Sequence, residues 1–110
     1  MKLARMVFNQ INNLTSDLVG TAICNDQNYP IRKGLSWDNC LIDFGSSDVA
    51  AALKNKPYRE LFYSVDQARS YNLKLLDGAL LQLQYSFENN LLLNHRLVFF
   101  PNPDLKPMQS

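Results

Sequence analysis

The sequence predicts an α+β fold, with an N-terminal helix and two mid-chain helices packed on one face of an antiparallel sheet that contains a C-terminal three-stranded meander. Two periodicities carry this prediction. Apolar residues recur at helical spacing near the N-terminus, and at a period of two between Tyr71 and Phe100. Composition agrees: eight Asp against two Glu, with eighteen Asn and Gln, favours capped, turn-rich, sheet-containing structure over a solvated helix bundle.

The first helix is expected from about Lys2 to Val19, because Leu3, Val7, Ile11, Leu14 and Leu18 form one apolar stripe and Gly20 supplies a stop. Asn25 to Lys33 carries turn formers and a proline and reads as a surface loop. Short strands follow around Trp37 and from Leu41 to Phe44. Ser47 and Asp48 cap a short helix through Leu53, and Pro57 ends it or opens the next. Tyr58, Leu61, Phe62 and Val65 mark one face of a helix reaching about Ser70. In the meander, a Leu76-Asp77-Gly78 loop with Gly78 left-handed sets Leu81 opposite Leu73 and Leu83 opposite Tyr71. A Glu88-Asn89-Asn90 turn with Asn90 left-handed then pairs Leu83 with His95, Leu81 with Leu97 and Ala79 with Phe99.

This register predicts two unlike faces. Tyr71, Leu73, Leu75, Ala79, Leu81, Leu83, Tyr85, Phe87, Leu91, Leu93, Leu97 and Phe99 form the expected core face, packed against the helices. The other face mixes Asn72, Lys74, Gln82, Gln84, Ser86, Asn94 and Arg96 with Leu80, Leu92, Val98 and Phe100. Amides and Arg among apolar anchors suit a protein interface or a ligand groove. Leu80, Gln82, Gln84, Arg96, Val98 and Phe100 are therefore the expected interface.

Size and charge bound the rest. With 110 residues, a folded surface of roughly 6,200 Å² is expected, so one domain (1–100) buries a sufficient core without a metal or disulfide staple. Residues 101–110 form a proline-rich arm, either frayed or docked on a partner through Leu105 and Met108. A formal charge of +1, with scattered basic pairs, argues against strong nucleic-acid binding. Arg5, Gln10, Asn12 and Asn13 interrupt any apolar signal region, so a cytoplasmic location with no membrane segment is expected. Cys24 and Cys40 lack ligand spacing and read as reduced thiols.

The chemistry-bearing residues are few. His95 is the only histidine, so a histidine base must be His95, with Arg96 or Asp77 as neighbours in a hydrolase-type site. The competing reading is a hydrogen-bonded histidine at the core edge. No acid or Cys stands at ligand spacing from His95, so no metal or other cofactor is expected. Asp77 followed by Gln82 and Gln84 lacks the second acid and the lysine that a metal nuclease hairpin needs, and Asp77 is explained by its turn with Gly78.

The segments ALKN (52–55), Tyr58, RSYNLKLLDGALLQLQYSFENN (69–90) and HRLVFFPNPDL (95–105) resemble a bacterial family known only as a domain of unknown function. The resemblance runs from about Leu14 onward and places Asp77, Gly78, Gln82, His95, Arg96, Pro101 and Asp104 at motif positions, with no catalytic role attached to them. It implies a cytoplasmic bacterial protein of the kind found among mobile genes. Members of that family are longer, with a further strand-rich half, and a half-length chain is expected to cover its sheet edge by self-association. The functional expectation is a non-catalytic, homo-oligomeric binding or assembly module. The alternatives are a small hydrolase centred on His95, or a protein on a mobile element that binds another protein or a small-molecule ligand.

Overall fold

The computed structural model describes residues 2–21, 23–45, 53 and 55–104. Helix α1 (Leu3–Gly20) leads into β1 (Cys24–Gln27), β2 (Ile31–Gly34) and β3 (Cys40–Asp43). Helix α2 (Tyr58–Gln67) follows, then β4 (Leu73–Leu75), β5 (Leu80–Glu88) and β6 (Leu91–Phe100). The fold is α+β with a six-stranded antiparallel sheet. The expected short helix at 47–53 falls largely outside the described residues.

The centre of the sheet is β5. One of its edges is paired along its whole length with β6, from Leu80 opposite Phe100 to Glu88 opposite Leu91. The other edge is shared: β4 pairs at Leu80 and Leu81, and β3 pairs from Tyr85 to Phe87. Between them the side chain of Asn72 substitutes for a strand, its Oδ1 accepting the Leu83 N–H at 2.6 Å. β1 extends the sheet beyond β4, and β2 extends it beyond β3.

The two meander turns differ in how they close. At the first, Gly78 is left-handed (φ 88°) and Leu73 lies opposite Leu81, as the loop chemistry predicts. At the second, Asn89 and Asn90 both have positive φ (52° and 61°), which makes a two-residue turn where a three-residue one was expected. Tertiary hydrogen bonds fix this choice. Asn89 N donates to Asn39 Oδ1 at 3.1 Å, Asn90 N to Asp38 O at 3.0 Å, and Asn90 Oδ1 accepts from Leu3 N at 3.0 Å. The register shift at Ser86/Phe87 leaves Leu93 unmatched, a bulge that restores the expected division of faces for 94–100, whereas Leu91 lies opposite Glu88 and Leu92 opposite Phe87, the reverse of expectation. The pairing consequently slides by two from expectation: Leu83 meets Leu97, and His95 meets Tyr85.

The expected one-sided packing is corrected: the helices cover opposite faces. Phe62 and Val65 of α2 pack with Tyr71, Leu80 and Phe100, with Val98 beside them. Ala4 and Ile11 of α1 pack with Cys40, Ile42 and Phe87, joined by Val7, Phe8, Trp37, Leu83 and Tyr85. Leu80 and Leu83 point to opposite sides of one strand, so the two clusters lie on opposite faces. The α1 stripe is also rotated from expectation. Ala4, Ile11 and Thr15 are buried whereas Leu3 and Leu14 are exposed, because small residues let the helix approach the sheet closely.

The loop expected at 25–33 contains β1 and β2. Pairing overrides the local turn preference there: Arg69 holds Asp26 through Nε (3.1 Å) and Nη2 (3.0 Å), while Asn28 Nδ2 donates to Tyr71 O at 2.8 Å. Trp37, expected in a strand, lies in the β2–β3 loop, edge-on to Phe8 at 5.4 Å and under Arg32 at 4.9 Å. The 101–104 segment turns back onto α2, where Tyr58 Oη donates to Pro101 O at 2.6 Å and Asp104 is held by Tyr63 and Arg59. Leu105 and Met108 lie outside the described residues.

Candidate functional site

Three of the residues expected on an accessible interface are interior. Leu80 and Gln82 are fully buried and Phe100 is 5% exposed. The face that carries them looked too polar for a core, yet α2 covers it. Gln82 Nε2 donates to Ser70 O, and Ser70 is itself buried, so one of the amides is absorbed by the packing. Val98 is half-buried against the same cluster. Only Gln84 and Arg96 of the expected set line an open feature.

That feature is a cleft of about 250 Å³ lined by Leu41, Gln84, Ser86, Asn94, His95 and Arg96. Strand pairing builds it. Gln84 faces Arg96 and Ser86 faces Asn94 across β5 and β6, with Leu41 of β3 beside Ser86. Arg96 Nη1 donates to Gln84 Oε1 at 3.1 Å, which fixes the guanidinium over the sheet. No carboxylate stands among these lining residues.

The three catalytic candidates are not assembled. His95 borders the cleft beside Arg96, but its ring is exposed and stacks on Tyr85 with centroids 6.4 Å apart, so strand alternation directs the imidazole to the face opposite the guanidinium. Asp77 lies past the far end of β5, about 20 Å from His95 at the rise of an extended strand. Its Oδ1 accepts the Ala79 N–H at 2.9 Å, the role of a turn residue. Among the described residues, no three His, Cys, Asp or Glu are grouped to hold a metal ion, and no helix is long and apolar enough to cross a membrane.

A second candidate surface was missed from sequence because it was assigned to the core. On the α1 side, Leu97 and Phe99 of β6 are 66% and 54% exposed, and past the bulge Leu91 and Leu93 of the same strand are 68% and 67% exposed. α1 packs on Cys40 and Ile42 of β3 and on Phe87 of β5, a cluster that takes in no residue of β6. β6 is also an edge: among the described strands it pairs with β5 alone. An open edge and an apolar face thus coincide on one strand.

No curated protein and no solved structure gives a significant match. The sequence model of one family, described as an uncharacterized conserved protein (DUF2290), matches residues 23–110. This span begins after α1 and takes in the whole sheet, α2 and the turn at Asp104. With the greater part of the chain matched, the protein belongs to the DUF2290 family.

Proposed function

We propose that this protein is a non-catalytic interaction module that associates with a second copy of itself through the open edge and apolar face of β6. The observation that carries the reading is the more than half-exposed pair Leu97 and Phe99 on the regular part of a ten-residue edge strand, with Leu91 and Leu93 exposed beyond the bulge. Long apolar edges are templates for added strands, and monomeric proteins blunt them with charge or cover them. Here Arg96 is the only charged residue of the strand, and it points to the opposite face.

Light scattering between about 1 and 100 µM tests this. The wild-type chain is expected to be dimeric or larger, and Leu97→Lys, which places a charge on the edge, is expected to be monomeric with an unchanged far-UV spectrum. A wild-type chain that stays monomeric across this range overturns the reading.

A second reading rests on the polar cleft. Arg96, braced by Gln84 among Asn94 and Ser86, sets a cation and neutral polar groups in the cleft, chemistry that suits a small carboxylate or phosphate. Shifts of the Arg96 and Asn94 resonances on titration with inorganic phosphate support it. Unmoved resonances at millimolar phosphate remove it.

A further inference from the structure

We infer that the two copies join by antiparallel pairing of β6 with its counterpart, centred on Leu97, to make one continuous sheet through both subunits. This rests on the reading just given and specifies its geometry. The hydrogen bonds of β5 fix which groups of β6 face outward. Leu81 O accepts from Asn72 N, Ala79 O accepts from Leu75 N, and Leu83 N donates to Asn72, so the odd-numbered residues of β5 direct their backbone groups away from β6. Its even-numbered residues therefore bond to β6, where they oppose Asn94, Arg96, Val98 and Phe100. By alternation, His95, Leu97 and Phe99 turn their N–H and C=O groups toward the open edge.

A two-fold arrangement must match outward residues with outward residues, which leaves few centres. Centring on Arg96 sets two guanidinium groups opposite each other, a destabilising pair. A centre at His95 carries the pairing into the bulge at Leu93, where the ladder is broken. A centre at Leu97 spans the regular stretch 94–100, pairs Leu97 with Leu97 of the second copy and His95 with its Phe99, and sets each Arg96 against a valine, Val98. On the apolar face this brings the exposed Leu97 and Phe99 side chains of both copies into one cluster beside the Tyr85–His95 stack.

Site-specific cross-linking tests the register. Leu97 and Leu91 are almost equally exposed, at 66% and 68%, and both lie on β6, so cysteines introduced at either position are matched in accessibility. Directly opposed residues in a hydrogen-bonded antiparallel pair have Cα atoms ~5.5 Å apart, within the 4.4–6.8 Å or so that a disulfide spans. Leu91 and its copy would be about 40 Å apart in the same register. Under mild oxidation, Leu97→Cys is expected to form a covalent dimer at least about tenfold faster than Leu91→Cys, and the wild-type chain, with Cys40 buried and Cys24 half-buried, none. A dimer by light scattering in which Leu91→Cys cross-links as fast as Leu97→Cys, or in which neither variant cross-links, overturns this register and leaves self-association standing. A monomer by light scattering overturns both.

Discussion

Asp26, Arg69 and Tyr71 form a hydrogen-bonded group that ties β1 to the turn after α2, and each makes a contact that its own segment does not forecast. Burial, followed by the hydrogen bond to Asp26, pushes the Tyr71 phenol up to about 12. Burial works to raise the Asp26 carboxyl, but the hydrogen bonds from Tyr71 and Arg69 outweigh it and hold the group below its ordinary value. The two limbs of the stability profile follow from the signs. A raised tyrosine contributes stability that is whole below pH 10 and lost as pH climbs from about 10 to about 12. A lowered carboxyl contributes stability that is present above its ordinary value of 3.8 and lost as pH falls below it. Urea unfolding followed across pH is expected to show a plateau between these limbs, and Tyr71→Phe is expected to flatten the alkaline one. An unchanged alkaline limb in that variant would show that Tyr71 is not its source. At this scale the sequence was legible where a residue answers to its neighbours, as at Asp77 and Gly78. It was illegible for Gln82 and Asn72, whose buried amides answer to groups supplied by other segments.

Among the elements, turns were read better than faces. Gly78 shows why. Its φ of 88° lies in the region glycine favours, and a Cβ there would stand 2.6 Å from Asn102 Nδ2, which itself donates to Asp77 O at 3.1 Å. The first meander turn and the C-terminal turn are thus one unit, which brings Asp77, Gly78, Pro101 and Asp104 of the sequence motif into the same corner. Gly78→Ala is expected to cost about 1–3 kcal/mol in chemical denaturation. A loss of a few tenths would show that the corner yields. The α1 stripe had the right period and kept Val7 and Ile11 inward, but Ala4 and Thr15 are buried in place of Leu3 and Leu14, because a count of large apolar residues gives no weight to an alanine or a threonine. Thr15 is accommodated in the interior by donating its hydroxyl hydrogen to Ile11 O at 2.8 Å.

For the whole molecule, strand alternation sorted the regular parts of β5 and β6 into the right two sets, misplaced Tyr71 and Leu91, and could not say what lies over each face. Both helices were placed on the more apolar face, whereas the mixed face has a helix of its own and part of the apolar one lies open. Helix position depends on connections that run through several strands, and no local pattern encodes it. Self-association through β6 links stability to concentration by mass action. The midpoint of thermal unfolding is expected to rise by a few degrees for each tenfold increase in wild-type protein and to be constant for Leu97→Lys. A concentration-independent wild-type midpoint counts against the pairing.

The shared edge of β5 has a mechanical meaning. Because β4 and β3 abut that edge without pairing with each other, the sheet consists of a β1–β4 half and a β2–β3 half joined along β5, with Asn72 filling the seam. α1 spans that seam, touching β1 on one side and, through Ala4 and Ile11, packing with Cys40 and Ile42 of β3 on the other. The helix is therefore a splint across the two halves, anchored on the β2–β3 half through Ala4 and Ile11.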